Sequence, residues 1–175
     1  MSKARIAILS TGGTIEKTYD EMAGVLKNEV SVLDVMLSQL QLGGVSLERF
    51  GLMNKDSLEM SSADHDLIAE EALAKAAEFD GIVIVHGTDR LETTGEAIYG
   101  REATPRVPIV LTGAMRPFAL RSTDAMQNLT EALMAVQLAA PGVYVSMHNQ
   151  LLAFPGVTKD RENGTFTGPS VRHRP

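Results

Sequence analysis

Two rhythms of apolar positions alternate along this chain. Ile6-Ala7-Ile8-Leu9, Ile82-Val83-Ile84-Val85 and Ile109-Val110-Leu111 are unbroken apolar runs, the pattern of strands buried on both faces of a parallel sheet. Val45 to Met53 and Gly142 to Met147 read as two more strands. Between the strands the period lengthens to that of helices. Leu33, Met36, Leu37 and Leu40 form one stripe, opened by Ser31 as a cap and closed by Gly43-Gly44. Ile68, Ala72, Leu73 and Ala76 mark a helix over about 63–78. Leu91, Gly95, Ile98 and Tyr99 mark another over 91–101, stopped by Pro105 and Pro108. Met126, Leu129, Leu133 and Val136 mark a long one over roughly 123–139. Strands alternating with helices at this spacing predict an α/β fold: a doubly wound three-layer sandwich with a mainly parallel sheet and right-handed crossovers.

Two stretches break the rhythm. Residues 15–28 mix Glu16, Lys17, Thr18, Tyr19, Asp20, Glu21 and Gly24 without a sustained period, as a mobile lid loop with a hairpin tip would. After His148 the period is lost, with Leu151 to Phe154 left for a short extra strand and Pro155, Gly156, Gly164, Gly168 and Pro169 marking turns. With 175 residues, no internal repeat and no linker, residues 1–175 are expected to form one catalytic domain. The net charge of −6, without a basic patch, argues against nucleic acid or an anionic membrane as partner. The absence of cysteine excludes disulfides, thiolate metal sites and a cysteine nucleophile. The apolar run after Arg5 is too short for a signal peptide or membrane span, so a cytoplasmic location is expected.

Candidate chemistry collects where strands end. The first run passes into Ser10-Thr11-Gly12-Gly13-Thr14 and the third strand into His86-Gly87-Thr88-Asp89. In open parallel sheets ligands bind along the carboxyl edge. Hydroxyls, a carboxylate and glycines permitting close backbone approach would meet there. The glycine pair fits neither the dinucleotide fingerprint nor a P-loop. His65, His86, His148 and His173 lack ligand spacing, so neither metal nor cofactor is expected. A threonine hydroxyl needs a base to become nucleophilic, and a desolvated lysine can serve. Lys159, in Gly156-Val157-Thr158-Lys159, is the candidate, and Asp89 would hold an ammonium, either the lysine's or a substrate's.

Ser10-Thr11-Gly12-Gly13-Thr14-Ile15, Asp56-Ser57, His86-Gly87-Thr88-Asp89, Gly113-Ala114-Met115-Arg116-Pro117 and Val157-Thr158-Lys159 occur in that order. Together they resemble the motifs of the bacterial-type L-asparaginases, in particular the amino-terminal domain of the usual two-domain enzyme. The chain is thus expected to be a short form lacking the carboxyl-terminal domain. The resemblance implies Thr14 as nucleophile on the side-chain amide carbon, through an acyl-enzyme that water hydrolyses. It implies Thr88 as second threonine, linked to Lys159, and Tyr19 as a lid residue near Thr14. Substrate contacts would come from Gly13, Asp56, Ser57, Thr88, Asp89, Ala114 and Met115, with Ser57 on the α-carboxylate and Asp89 on the α-ammonium. Backbone groups near Thr88 would stabilise the oxyanion. L-Asparagine is the expected substrate and a homo-oligomer the expected assembly.

Two departures bear on the ammonium. Leu58 stands where many relatives have glutamine, and the family's acidic residue from a neighbouring carboxyl-terminal domain has no counterpart here. Asp89 would then be the main anion facing the ammonium, with a high KM and strong preference for asparagine over glutamine as consequences. The related amidase of a tRNA-dependent amidotransferase is one alternative. A small-molecule sensor or receiver domain is another; Asp89 and Lys159 suit it, but Thr11-Gly12-Gly13-Thr14 replaces the acidic pair that it needs.

Overall fold

The computed structural model describes residues 3–29 and 31–171; His173 lies outside them. The chain opens with β1 (Ala4–Gly12), a 3-10 turn (Thr14–Glu16), a hairpin of β2 (Thr18–Asp20) and β3 (Val25–Lys27), and α1 (Leu33–Ser38). Next come β4 (Val45–Lys55), α2 (Ser62–Ala76), β5 (Gly81–Val85), α3 (Leu91–Arg101), β6 (Pro108–Thr112), α4 (Ala125–Leu138) and β7 (Gly142–Met147). It continues through β8 (Gln150–Ala153), β9 (Thr158–Asp160) and β10 (Thr165–Thr167). Six strands form one sheet in the order β4-β1-β5-β6-β7-β8. The first five run parallel and β8 turns back antiparallel on β7.

Alternation along each buried strand supplies two cores. Ala7, Leu9, Ile82 and Ile84 point into the one covered by Ile68, Ala72 and Ala76 of α2 and Leu91 and Ile98 of α3. Ile6, Ile8, Val83 and Val85 point into the other, covered by Leu33 and Met36 of α1 and Leu129, Leu133 and Val136 of α4. The expected three layers follow directly, because a strand buried on both faces requires helices on both.

One expectation fails. The connections through α1, α2 and α3 share one hand, since the change of direction between the first and second is matched by a change of face. The β6-α4-β7 connection continues in the direction of β5-α3-β6 but lies on the opposite face. It therefore reverses the right-handed rule that the other three obey. The cause lies in coverage. α1 has only six residues, so without α4 the face bearing Ile8, Val83 and Val110 would be open, while α2 and α3 already cover the other.

Helix starts differ by small amounts. Ser61 and Asp64 form a reciprocal capping box, setting α2 to begin at Ser62. Ser31 does not cap α1 strongly. Its hydroxyl instead joins the buried Glu16 and accepts from Arg49 Nη2 at 2.7 Å. The hairpin tip expected in 15–28 is present, with Asp20 Oδ1 accepting from Met22 N at 2.9 Å and Ala23 N at 3.0 Å. Among the described residues no helix is long and apolar enough to cross a membrane.

Candidate active site

The strand order reverses between β1 and β5, because the chain leaves β1 for β4 on one side and returns to β5 on the other. Such a switch point opens a crevice at the carboxyl ends of the two strands. The crevice is closed at its floor by glycines. Gly13 (φ 82°) lies so near β5 that a Cβ there would stand 2.4 Å from Gly87 Cα. A Cβ on Gly87 would stand 2.6 Å from Ser57 Oγ. Each contact is possible only without a side chain, and together they draw Thr14, Ser57 and Thr88 to one place.

The two threonines have different surroundings. Thr14 opens the 3-10 turn half-buried, and its hydroxyl has no hydrogen-bond partner among the described residues. Thr88 is 4% exposed and accepts from Lys159 Nζ at 2.8 Å. Lys159 also donates to Asp89 Oδ1 at 2.8 Å. Arg161, the residue just after β9, donates from Nη1 to that same oxygen at 2.7 Å. Burial alone would raise the Asp89 carboxyl, but the hydrogen bonds from Lys159 and Arg161 outweigh it and hold the group below the usual carboxylate range. Asp89 therefore holds the lysine's ammonium, one of the two ammonium partners expected from the sequence, and in addition the Arg161 guanidinium, which was not expected. Near them Glu92 is pushed up by burial, and its Oε2 is buried without a partner.

Behind Thr88 a buried chain fixes the loop. His86 Nδ1 donates to Gly87 O at 2.8 Å, since a carbonyl can only accept. His86 Nε2 must then accept from Thr94 Oγ1 at 2.8 Å, and Thr94 in turn accepts from His65 Nδ1 at 2.7 Å. Full burial lowers His86 to about 4, so the ring is neutral at pH 7. The remaining nitrogen, His65 Nε2, is buried without a partner.

Ser57 is 1% exposed, and its Oγ is likewise buried without a partner. Asp56 is bound by Lys17 Nζ at 2.5 Å and also caps the following turn through Leu58 N at 3.0 Å. Burial is the largest influence on its carboxyl and raises it, but the hydrogen bonds from Lys17 and Leu58 N and the charge of Lys17 together outweigh burial, for a net downward shift. Asn28 Nδ2 donates to Gly13 O at 2.8 Å and so ties the hairpin to the glycine beside Thr14. A cleft of about 280 Å³ lies under the hairpin, lined by Lys17, Lys27, Asn28, Asn54, Asp56 and Glu59 among others. A cavity of about 320 Å³ beside Met134 and Leu151 is lined by neither Thr14 nor Thr88.

The loop after β6 reaches the same edge. Asp124 accepts from Met115 N and Arg116 N, both at 3.0 Å, and contacts His148 Nε2 at 2.7 Å. Phe118 N donates to Ile15 O at 3.3 Å, so the loop that carries Ala114 and Met115 is tied to the turn that carries Thr14. Tyr19 is not brought in. It is 61% exposed with its hydroxyl over Gly24 of its own hairpin. Lys17, Asn28, Glu92, Thr94 and Arg161 were not singled out by the sequence. Only Arg161 carried a usable signal, its spacing of two from Lys159 next to a lone carboxylate.

The family model described as "Asparaginase, N-terminal" matches residues 5–173. The chain belongs to the asparaginase family. It is 32% identical over 175 residues to an L-asparaginase of Thermococcus kodakarensis, covering 97% of this chain and 52% of that protein. The solved thermostable L-asparaginase of the same organism superposes with a TM-score of 0.87 at 31% identity, covering 98% of this chain and 57% of that one. A glutamyl-tRNA(Gln) amidotransferase component of Methanobrevibacter smithii is 33% identical over 152 residues, 86% of this chain and 35% of that protein. The chain thus spans about half the length of the asparaginase it matches, and about a third of the amidotransferase component.

Proposed function

We propose that this chain is an amidohydrolase converting L-asparagine to L-aspartate and ammonia, with Thr14 as the nucleophile. The observation that supports this best is the abutting of two threonine-bearing strand ends, one hydroxyl without a partner among the described residues and the other held by Lys159, which Asp89 holds in turn. Thr14 Oγ attacks the side-chain amide carbon, the C–N bond breaks, and ammonia leaves with the hydroxyl proton. Water then attacks the aspartyl ester and releases L-aspartate. The unpartnered Ser57 hydroxyl suits the α-carboxylate and Asp89 the α-ammonium. Backbone N–H groups beside Thr88 stabilise the oxyanion, an effect of about 3 kcal/mol per donor.

The Thr88–Lys159 pair moves the proton. With the lysine in its amine form the 2.8 Å bond reverses, Thr88 donating to Nζ, and a proton from Thr14 or water can pass along it. Tyr19 serves in this reading only if the hairpin folds over Thr14. The cytoplasm and a homo-oligomer complete the proposal.

The similarity to the amidotransferase component supports a second reading, in which an amide is hydrolysed to supply ammonia to a partner. Ammonium release from L-asparagine and L-glutamine by the purified chain separates the two. Asparagine should be preferred strongly, because the extra methylene of glutamine displaces either its amide from Thr14 or its charged end from Ser57 and Asp89. Preference for glutamine would favour the second reading.

A further inference from the structure

The anion assigned to the substrate's ammonium is already occupied. Asp89 Oδ1 takes hydrogen bonds from Lys159 at 2.8 Å and Arg161 at 2.7 Å. The two cations are not equivalent. Lys159 has a side chain 10% exposed and a second bond to Thr88, whereas the Arg161 side chain is 65% exposed. Lys159 is built in; Arg161 can leave.

We infer that Arg161 is a specificity-determining residue, a guanidinium that occupies the ammonium subsite at Asp89 and that an amino-acid substrate must displace. This rests on the reading of Asp89 as the ammonium anchor. The backbone at Arg161 is fixed, since Asp160 Oδ1 accepts from Glu162 N and Asn163 N at 3.1 Å each and sets the turn. Only the arginine side chain has to move. A second acceptor lies close by in Glu92, in the first turn of α3, whose buried Oε2 is unpartnered and whose charged form both Lys159 and Arg161 favour. Substrate binding thus exchanges one cation for another on Asp89, with Glu92 receiving the one displaced. An acid without an amino group has no ammonium to place there and leaves Arg161 where it is.

The exchange can be read from competitive inhibition of asparagine hydrolysis by L-aspartate and by succinate, which differ only in the amino group. Arg161→Ala should lower the KM for asparagine and the inhibition constant of L-aspartate by roughly two- to fivefold, the scale of one exposed ion pair. Succinate inhibition should move less than twofold, and Arg161→Lys should fall between the two. Glu92→Gln should raise the asparagine KM with Arg161 present and leave it unmoved in the Arg161→Ala background, a coupling that a merely structural role would not produce. An unchanged or raised KM in Arg161→Ala, or equal shifts for aspartate and succinate, would overturn the inference while asparagine hydrolysis by the unaltered protein leaves the proposed function standing. If the unaltered protein neither hydrolyses asparagine nor binds L-aspartate, the anchor reading falls and the inference with it.

Discussion

Thr14 and Thr88 follow glycines at the ends of neighbouring strands, yet the fold treats them oppositely. Thr14 sits half-buried on a turn tethered to a hairpin through Asn28, with its hydroxyl unpartnered among the described residues. Thr88 is buried, bound by Lys159, and backed by the His86–Thr94–His65 chain. A residue that must form and break a covalent bond needs freedom to approach carbon. A residue that relays a proton needs fixed partners at hydrogen-bond distance. The same side chain suits either task, and its partners decide which.

The largest effect should come from breaking the fixed side. Thr88→Val and Lys159→Met should each lower kcat at least ~100-fold with the protein still folded, the scale of losing a general base. Turnover within tenfold of normal in either variant, with unchanged circular dichroism, would mean that the pair does not carry the proton.

Next comes the buried chain behind Thr88. His86 titrates at about 4 in the folded protein against 6.5 for the free side chain, so the unfolded state takes up the proton first as pH falls. Its stabilisation is fully present above pH 6.5 and is lost on descending towards pH 4, by about 3 kcal/mol. His65 is shifted down as well, chiefly by burial, and adds in the same direction. Urea midpoints at pH 7 and pH 4.5 measure the loss. Thr94→Val removes the donor to His86 and should cost a further 1–3 kcal/mol or so at pH 7. A flat midpoint over this range would show that the chain does not hold the loop.

The smallest effect concerns the free side. Asn28→Ala removes the bond to Gly13 O and should raise the asparagine KM about fivefold, the equivalent of ~1 kcal/mol. Since no atom of Asn28 belongs to the proposed chemistry, an equal loss in kcat would point to a different role.

Much of this molecule was legible before its structure. Runs such as Ile82–Val85 could only be strands buried on both faces, and the Thr-Gly-Gly-Thr and His-Gly-Thr-Asp ends placed the crevice. The hand of the β6-α4-β7 connection was not legible, because it depends on which face is left uncovered rather than on anything within residues 108–147. Ser31 looked like a cap, but a buried Glu16 from another element claimed its hydroxyl. Asp89 was expected to hold an ammonium, but the second cation on it was missed because Arg161 is distant in sequence and the β9 hairpin brings its guanidinium across. Local periodicity fixes elements; partnerships between side chains depend on where elements meet.

The assignment of the free threonine as nucleophile is open to one direct test. The protein is mixed with L-asparagine, quenched in acid within the steady state, digested and examined by mass spectrometry for a covalently held aspartyl group. An adduct is expected on the peptide containing Thr14, lost in Thr14→Ala and accumulating when Lys159→Met slows its hydrolysis. An adduct on Thr88 instead, or full turnover by Thr14→Ala, would contradict the assignment.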